Sequence, residues 1–160
     1  MNGQIRLQIY LFLVAVPLNL IWEVAQMEAY DFPTTSLIDD IIGCFVPSLG
    51  DGLMTLIIFW IGWLAFRDSE WIFKPGVKGY GLMLVMGIFL AVVVELNALY
   101  VTGAWNYNER MVTVLGVGVL PVLQMIVLPP ATAVLLQQIW KRRDPDESFD
   151  MRPQERRKST

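Results

Sequence analysis

Four apolar blocks, each long enough to cross a bilayer, leave this sequence few choices of fold. A helix needs about 20 mostly apolar residues to traverse a hydrocarbon core of about 30 Å. Only helices and closed barrels satisfy their own backbone polar groups in lipid. The blocks run from Ile5 to Val24, from Val46 to Phe66 (with a start as early as Ile38), from Gly79 to Val101 and from Val112 to Trp140. They predict an all-α membrane protein of four transmembrane helices. Proline removes a helical N–H and crowds the preceding turn, so Pro121 and the Pro129-Pro130 pair are expected to kink the fourth span. Apolar residues make up 55% of the 160 and charged residues 17%, against roughly 45–50% and about 25% in soluble domains. One transmembrane domain over residues 1–140 uses nearly all of the length. The charged, proline-containing stretch at 141–160 reads as a stop-transfer segment and a disordered cytoplasmic tail.

Lysine and arginine give the direction of insertion. Arg6 precedes the first span; Arg67, Lys74 and Lys78 separate the second from the third. Lys141, Arg142, Arg143, Arg152, Arg156, Arg157 and Lys158 follow the fourth, and Arg110 alone lies on the opposite side. The positive-inside rule then puts both termini in the cytoplasm, as a multi-pass protein of the cell membrane. A cleaved signal peptide is the rival reading of the first span. Its apolar stretch is long for one, and no clean small-x-small site follows. Glu23 and Glu95 near the ends of the outgoing spans, and Pro47 and Pro121 in the returning ones, recur at nearly equal offsets. Two parallel helical hairpins related by duplication would produce that pattern.

Several function classes are absent from the sequence. There is no histidine, so His-ligated haem, the commonest zinc ligand and a histidine base all fall away. Cys44 is the single cysteine, which precludes an intrachain disulfide. No phosphate-binding loop, dinucleotide fingerprint or Cys-x-x-Cys occurs, and neither a metal nor a cofactor is expected. The basic residues after Trp140 read as a topology signal that meets anionic membrane lipids, which leaves nucleic acid out.

What remains is a set of polar residues inside the spans, where each ionisable group costs about 2.5–3.5 kcal/mol at the centre. Glu23, Asp51 and Glu95 all fall toward the outer side, with no basic residue in the spans to neutralise them. Glu95 lies about 9 Å from the outer end of its helix, at the helical rise. Asn19, Trp22, Glu23 and Gln26 recur at i, i+3, i+4 and i+7, a single face of the first span, with Gln8 on the same stripe. Ser48, Asp51, Gly52 and Thr55 share a face of the second, and Thr113 and Gln124 a face of the fourth. Asn97 points away from Glu95. If these faces meet, Asn19, Glu23, Asp51, Glu95 and Gln124 line an outward-facing pocket under a lid containing Trp105 and Tyr107. Crowded carboxyls in a low dielectric hold protons more tightly than in water, which suits a general acid or a proton relay. Glu95, Asp51 and Glu23 are thus the candidate catalytic residues, and Asn19, Trp22, Trp105, Tyr107 and Gln124 the candidate binding residues. The plainer reading is that Asn19, Gln26, Ser48, Thr55 and Asn97 are interhelical hydrogen-bond glue, and that Glu23 is an interfacial charge. Trp22, Trp60, Trp63, Trp71, Trp105, Tyr80, Tyr100 and Tyr107 read mostly as an aromatic belt. Gly50 and Gly52 allow close helix approach or a local break.

The most specific stretch reads Glu95-x-x-Ala98, then Gly103-Ala104-Trp105-x-Tyr107, then glycines, then Pro121-Val122-Leu123-Gln124. It resembles the small membrane-embedded lycopene cyclase domains of the carotenoid pathway. There an acid and an alanine near a helix end precede a Gly-x-Trp-x-aromatic loop, and a Pro-x-Glu-Glu element follows in the next span. The resemblance implies that Glu95, Trp105 and Tyr107 face a long isoprenoid. It also implies acid-initiated cyclisation, with aromatic faces stabilising the carbocation. Leu123 and Gln124 stand where the family has its glutamate pair. A glutamine cannot donate the proton, so Glu95, Asp51 or Glu23 would have to. Three readings follow: a protein binding or modifying an isoprenoid or other lipid, a proton or cation transporter or channel subunit acting as a homo-oligomer, and a non-catalytic subunit of a membrane complex.

Overall fold

Apolar sequence makes these helices, and a few local devices bound them. The computed structural model describes residues 3–31 and 36–143. The first helix, α1 (Gly3–Gln26), passes through Pro17 and ends in a single 3-10 turn, Met27–Ala29. Ser36 caps the second, α2 (Leu37–Phe66), its hydroxyl accepting from the Asp39 N–H at 3.2 Å. Asp39 and Asp40 in that first turn complement the positive end of the helix dipole. Arg67, in the left-handed region at φ 53°, closes α2. After a 3-10 turn at Trp71–Phe73, α3 (Gly76–Leu96) widens into a π-type turn, Asn97–Thr102, which Gly103 at φ 62° ends. The last helix is α4 (Val119–Arg143). All four helices are long and apolar enough to cross a membrane.

Two boundaries differ from expectation. Residues 113–118 are not the start of the fourth span but a small hairpin of β1 (Thr113–Val114) and β2 (Val117–Gly118). The strands pair antiparallel, Thr113 with Gly118 and Val114 with Val117. Leu115 (φ 52°) and Gly116 (φ 80°) form the turn, the doubly positive form that matches strand twist. Thr113 is therefore not on a helical face with Gln124. Pro121 consequently sits in the first turn of α4, where a missing N–H costs no helical bond. The second span does begin early, as Ile38 allowed. The polar tail expected at 141–160 lies outside the described residues from 144 onward, and Lys141–Arg143 still belong to α4.

Packing is organised at two ends. At the end carrying the chain termini, Trp71 is buried among Phe59, Phe66 and neighbouring apolar side chains. Its ring stacks on Phe59 at 6.3 Å and its Nε1 donates to the Phe59 carbonyl at 3.1 Å. It is thus a core residue and not part of an aromatic belt; Trp60, Trp63, Tyr80 and Tyr100 are exposed. Trp140 gathers the same end together, with Arg6 over its ring at 5.2 Å and Tyr10 edge-on at 6.0 Å. Helix α1 lies along α2 and α4, and α3 along α4, whereas α2 and α3 touch much less. At Gly87 the α3–α4 approach is so close that a Cβ would overlap the Met125 carbonyl. Around the outside, Ile21, Ile42, Leu64, Val85, Phe89 and Val127 are exposed, while Asn19, Gln26, Ser48, Glu95 and Gln124 are buried. Apolar outside and polar within is the arrangement that lipid requires.

Gly87→Ala is therefore expected to destabilise the bundle by about 1–3 kcal/mol, since neither backbone can yield cheaply. Gly81→Ala, with open space at its Cβ, should be neutral or stabilising by up to about 1 kcal/mol through helix propensity. Thermal unfolding in neutral detergent measures the opposite signs.

Candidate functional site

The polar stripes of α1, α2 and α4 converge on one amide. Gln124 is 2% exposed, and its Nε2 donates to Asn19 Oδ1 at 2.9 Å and to Asp51 Oδ2 at 2.7 Å. Its Oε1 accepts from Gln26 Nε2 at 3.0 Å. Gln26 also donates to Glu23 Oε1 at 2.9 Å and accepts from Trp22 Nε1 at 3.1 Å. Glu23 and Asp51 share a hydrogen bond, closing a ring through Gln26 and Gln124. Asn19 is locked in turn by its Nδ2, which donates to the Ala15 carbonyl at 2.9 Å. Ser48 and Thr55 bond back to their own helix, to Cys44 and Asp51 carbonyls, the local pattern such residues adopt in helices. Gly52 lets α1 close on this face, for a Cβ there would meet Val16 at 2.8 Å. Gly50 has open space, and α2 runs unbroken through both.

Glu95 enters from α3, 4% exposed. Its Oε2 accepts from Trp105 Nε1 at 3.3 Å and from the Tyr107 hydroxyl. The Tyr107 oxygen accepts in turn from the Gly118 N–H at 2.8 Å. Only a glycine fits at 118, because a Cβ would lie 2.9 Å from that oxygen. Asn108 pins the loop that presents both aromatics: its Nδ2 donates to the Glu28 and Tyr30 carbonyls, each at 2.9 Å. The Asp31 N–H donates to the Asn106 carbonyl, also at 2.9 Å. Tyr30 packs edge-on to Trp105 at 6.3 Å and tilted on Tyr107 at 5.5 Å. Burial pushes both phenols above the ordinary tyrosine range; for Tyr107 the bond to Glu95 adds to it, and for Tyr30 the nearby Glu95 and Glu23 charges. Tyr107 therefore stays a donor. The one basic residue in these loops, Arg110, pairs with Glu28 at 2.7 Å on the exposed surface, where ion pairs contribute little.

Between these groups lies a cavity of about 600 Å³, within the ordinary range for ligand sites. Glu23, Asp51, Glu95, Gln124 and Trp105 all line it. Asn19, Trp22 and Tyr107 do not, and act instead through the lining residues they hold. Asp39 and Asp40 border it from the start of α2, while Met27, Met54, Ala91, Val94 and Met125 supply apolar wall. Gln26 was legible on the α1 face, yet its central place shows only when α4 is beside it. Tyr30 and Asn108 carry no local signal, since their roles depend on two loops meeting. Among the described residues, no three His, Cys, Asp or Glu side chains are grouped to hold a metal ion. Comparison with family models, with curated proteins and with solved structures found no match.

Of the five tyrosines, Tyr30 and Tyr107 should resist ionisation beyond the usual value of about 10. Tyrosinate absorbance on alkaline titration is expected to be incomplete until well above that value, with Tyr107→Phe reducing the late-rising part. Gln124→Leu should cost about 1–3 kcal/mol in thermal unfolding, because Asp51 and Asn19 lose their donor in a dry interior.

Proposed function

We propose that this chain is an integral membrane protein that binds, and chemically modifies, an elongated apolar molecule of the isoprenoid or lipid class. The observation that carries the reading is a cavity with apolar walls between four membrane-length helices, lined by five carboxyl groups, of which Glu23, Asp51 and Glu95 come from well inside the helices. The distribution of lysine and arginine puts both termini in the cytoplasm, so the cavity belongs to the outer leaflet of the cell membrane. A duplicated helical hairpin would account for acids entering from both α1 and α3.

The roles follow from the hydrogen bonds. Glu95, accepting from Trp105 and Tyr107, is fixed in orientation beside the ligand. Glu23 and Asp51, brought together from α1 and α2, are the acids that would start chemistry on an end-group double bond, as the resemblance to lycopene cyclase domains implies. Gln124 orients Asp51 and donates no proton of its own. A second reading has one specific support: Glu23, Asp39, Asp40, Asp51 and Glu95 line the cavity, with no lysine or arginine. That suits a proton or cation path, which four spans would form as a homo-oligomer.

Mass spectrometry of the organic extract of gently purified protein separates the two. A stoichiometric isoprenoid or lipid is expected from the wild type, lost or chemically altered with Glu95→Gln and Asp51→Asn. Bulk phospholipid alone in every sample, together with cation uptake into vesicles that Glu95→Gln abolishes, would replace this reading by the second.

A further inference from the structure

The cavity is one-sided in its hydrogen-bonding chemistry. The amide, indole and Tyr107 hydroxyl donors on its polar side are committed to the protein. Gln124 gives both amide hydrogens to Asn19 and Asp51, Gln26 gives its own to Glu23 and Gln124, and Trp105 and Tyr107 give theirs to Glu95. The hydrogen bonds that Glu95 accepts from Trp105 and Tyr107 both fall on Oε2. A carboxylate can accept at about four lone-pair positions, so this site offers acceptors and asks for donors. No positive side chain answers: the lining contains no lysine or arginine, and Arg110 is paired with Glu28 outside. Two aromatic faces, Tyr30 and Trp105, also border the space. Aromatic faces beside carboxylates form the usual surroundings of an alkylammonium ion.

We propose that the cavity takes an amphiphile with a cationic nitrogen head, its ammonium group between Glu95 and Asp51 and its hydrocarbon chain along the wall formed by Met54, Val94 and Met125. The inference rests on the lipid-binding reading above and adds the charge of the head. A phosphate or diphosphate head would meet five lining carboxyl groups and no lysine or arginine. A neutral hydroxyl could give one hydrogen bond but brings no positive charge to a lining of five carboxyl groups without a lysine or arginine. An ammonium group supplies both charge and donors. Methionines are the adaptable wall for a flexible chain. Gly43 and Gly50, where a Cβ would meet nothing within 4 Å, leave the α2 side of the cavity open to such a chain.

Native mass spectrometry of the full chain released from neutral maltoside micelles tests this with four probes: dodecylamine, dodecanol, dodecyl phosphate and ethylamine. Dodecylamine is expected to bind one to one, about tenfold or more tighter than dodecanol, equivalent to about 1.4 kcal/mol, with dodecyl phosphate weaker still. Glu95→Gln and Asp51→Asn should each abolish the preference for the amine, and Glu28→Gln on the exterior should leave it intact. Dodecanol or dodecyl phosphate binding as well as dodecylamine would overturn the cationic head and leave the lipid cavity standing. Ethylamine binding as tightly as dodecylamine would overturn the lipid reading and make this a small-cation site. No binding of any probe would overturn both. If a variant fails to fold, as its helical circular dichroism would reveal, the ranking of the four probes on the wild type still decides.

Discussion

A buried amide in a dry interior has to find partners on other helices, and in this bundle Gln124 finds them on two. Apolar helices have little reason to associate in lipid, whose tails are as apolar as their own side chains; close packing and interhelical hydrogen bonds do the work. Gln124 ties α4 to α1 through Asn19 and Gln26 and to α2 through Asp51. Its three bonds set the rotation of all three helices about their axes, because no slip of a residue keeps them together. The carboxyls of Glu23 and Asp51 are then brought face to face as a consequence of that rotation.

The opposite end is fixed by other means, and the contrast explains the cavity. Around Trp71 the helices close on a fully apolar core, with Gly62 and Gly79 making room for the indole. Midway, Gly87 lets α3 lie against the Met125 backbone. Beyond that point the interior is lined by groups that cannot collapse onto one another: carboxyls repel, and the amides already hold fixed partners. Helix α2 touches α3 only slightly, so the space stays open between them. The aromatic loop closes it from the end, where Asn108 fastens 28–31 to 106–108. A bundle tight at one end and hollow at the other follows from where its polar residues lie.

Much of this could be read from the chain. Helix count and the shared faces of Asn19, Trp22, Glu23 and Gln26, and of Ser48, Asp51 and Thr55, depend only on hydropathy and a period of 3.6. The convergence of Glu23, Asp51, Glu95 and Gln124 followed from asking which side of a helix a costly residue must face. Residues 112–118 misled, because a valine-rich run looks alike in a hairpin and in a buried helix, and only Leu115 and Gly116 at positive φ separate the two. Trp71 misled because a tryptophan near a helix end fits a membrane interface as well as a core, and the vacancies that admit it are made by glycines on two other segments. Tyr107 was placed correctly near Glu95 but with a different task. It grips the carboxylate and does not itself line the cavity, a distinction set by the β2 backbone at Gly118.

Position 124 also shows what an amide does that a carboxyl in its place would not. Leu123 beside it is 40% exposed on the outside of the bundle, whereas Gln124 faces inward. A glutamate at 124 would face Asp51 at hydrogen-bond distance and could not donate to both Asp51 and Asn19, since a protonated carboxyl has one hydrogen to give. The amide has two, and uses both. With Gln124 as the donor, the neighbouring carboxyls are Glu23 and Asp51, which border the cavity from α1 and α2. Glu95, across the space on α3, is held separately by Trp105 and Tyr107. One amide thus joins α1 and α2 on one side of the cavity and leaves the α3 carboxyl on the other.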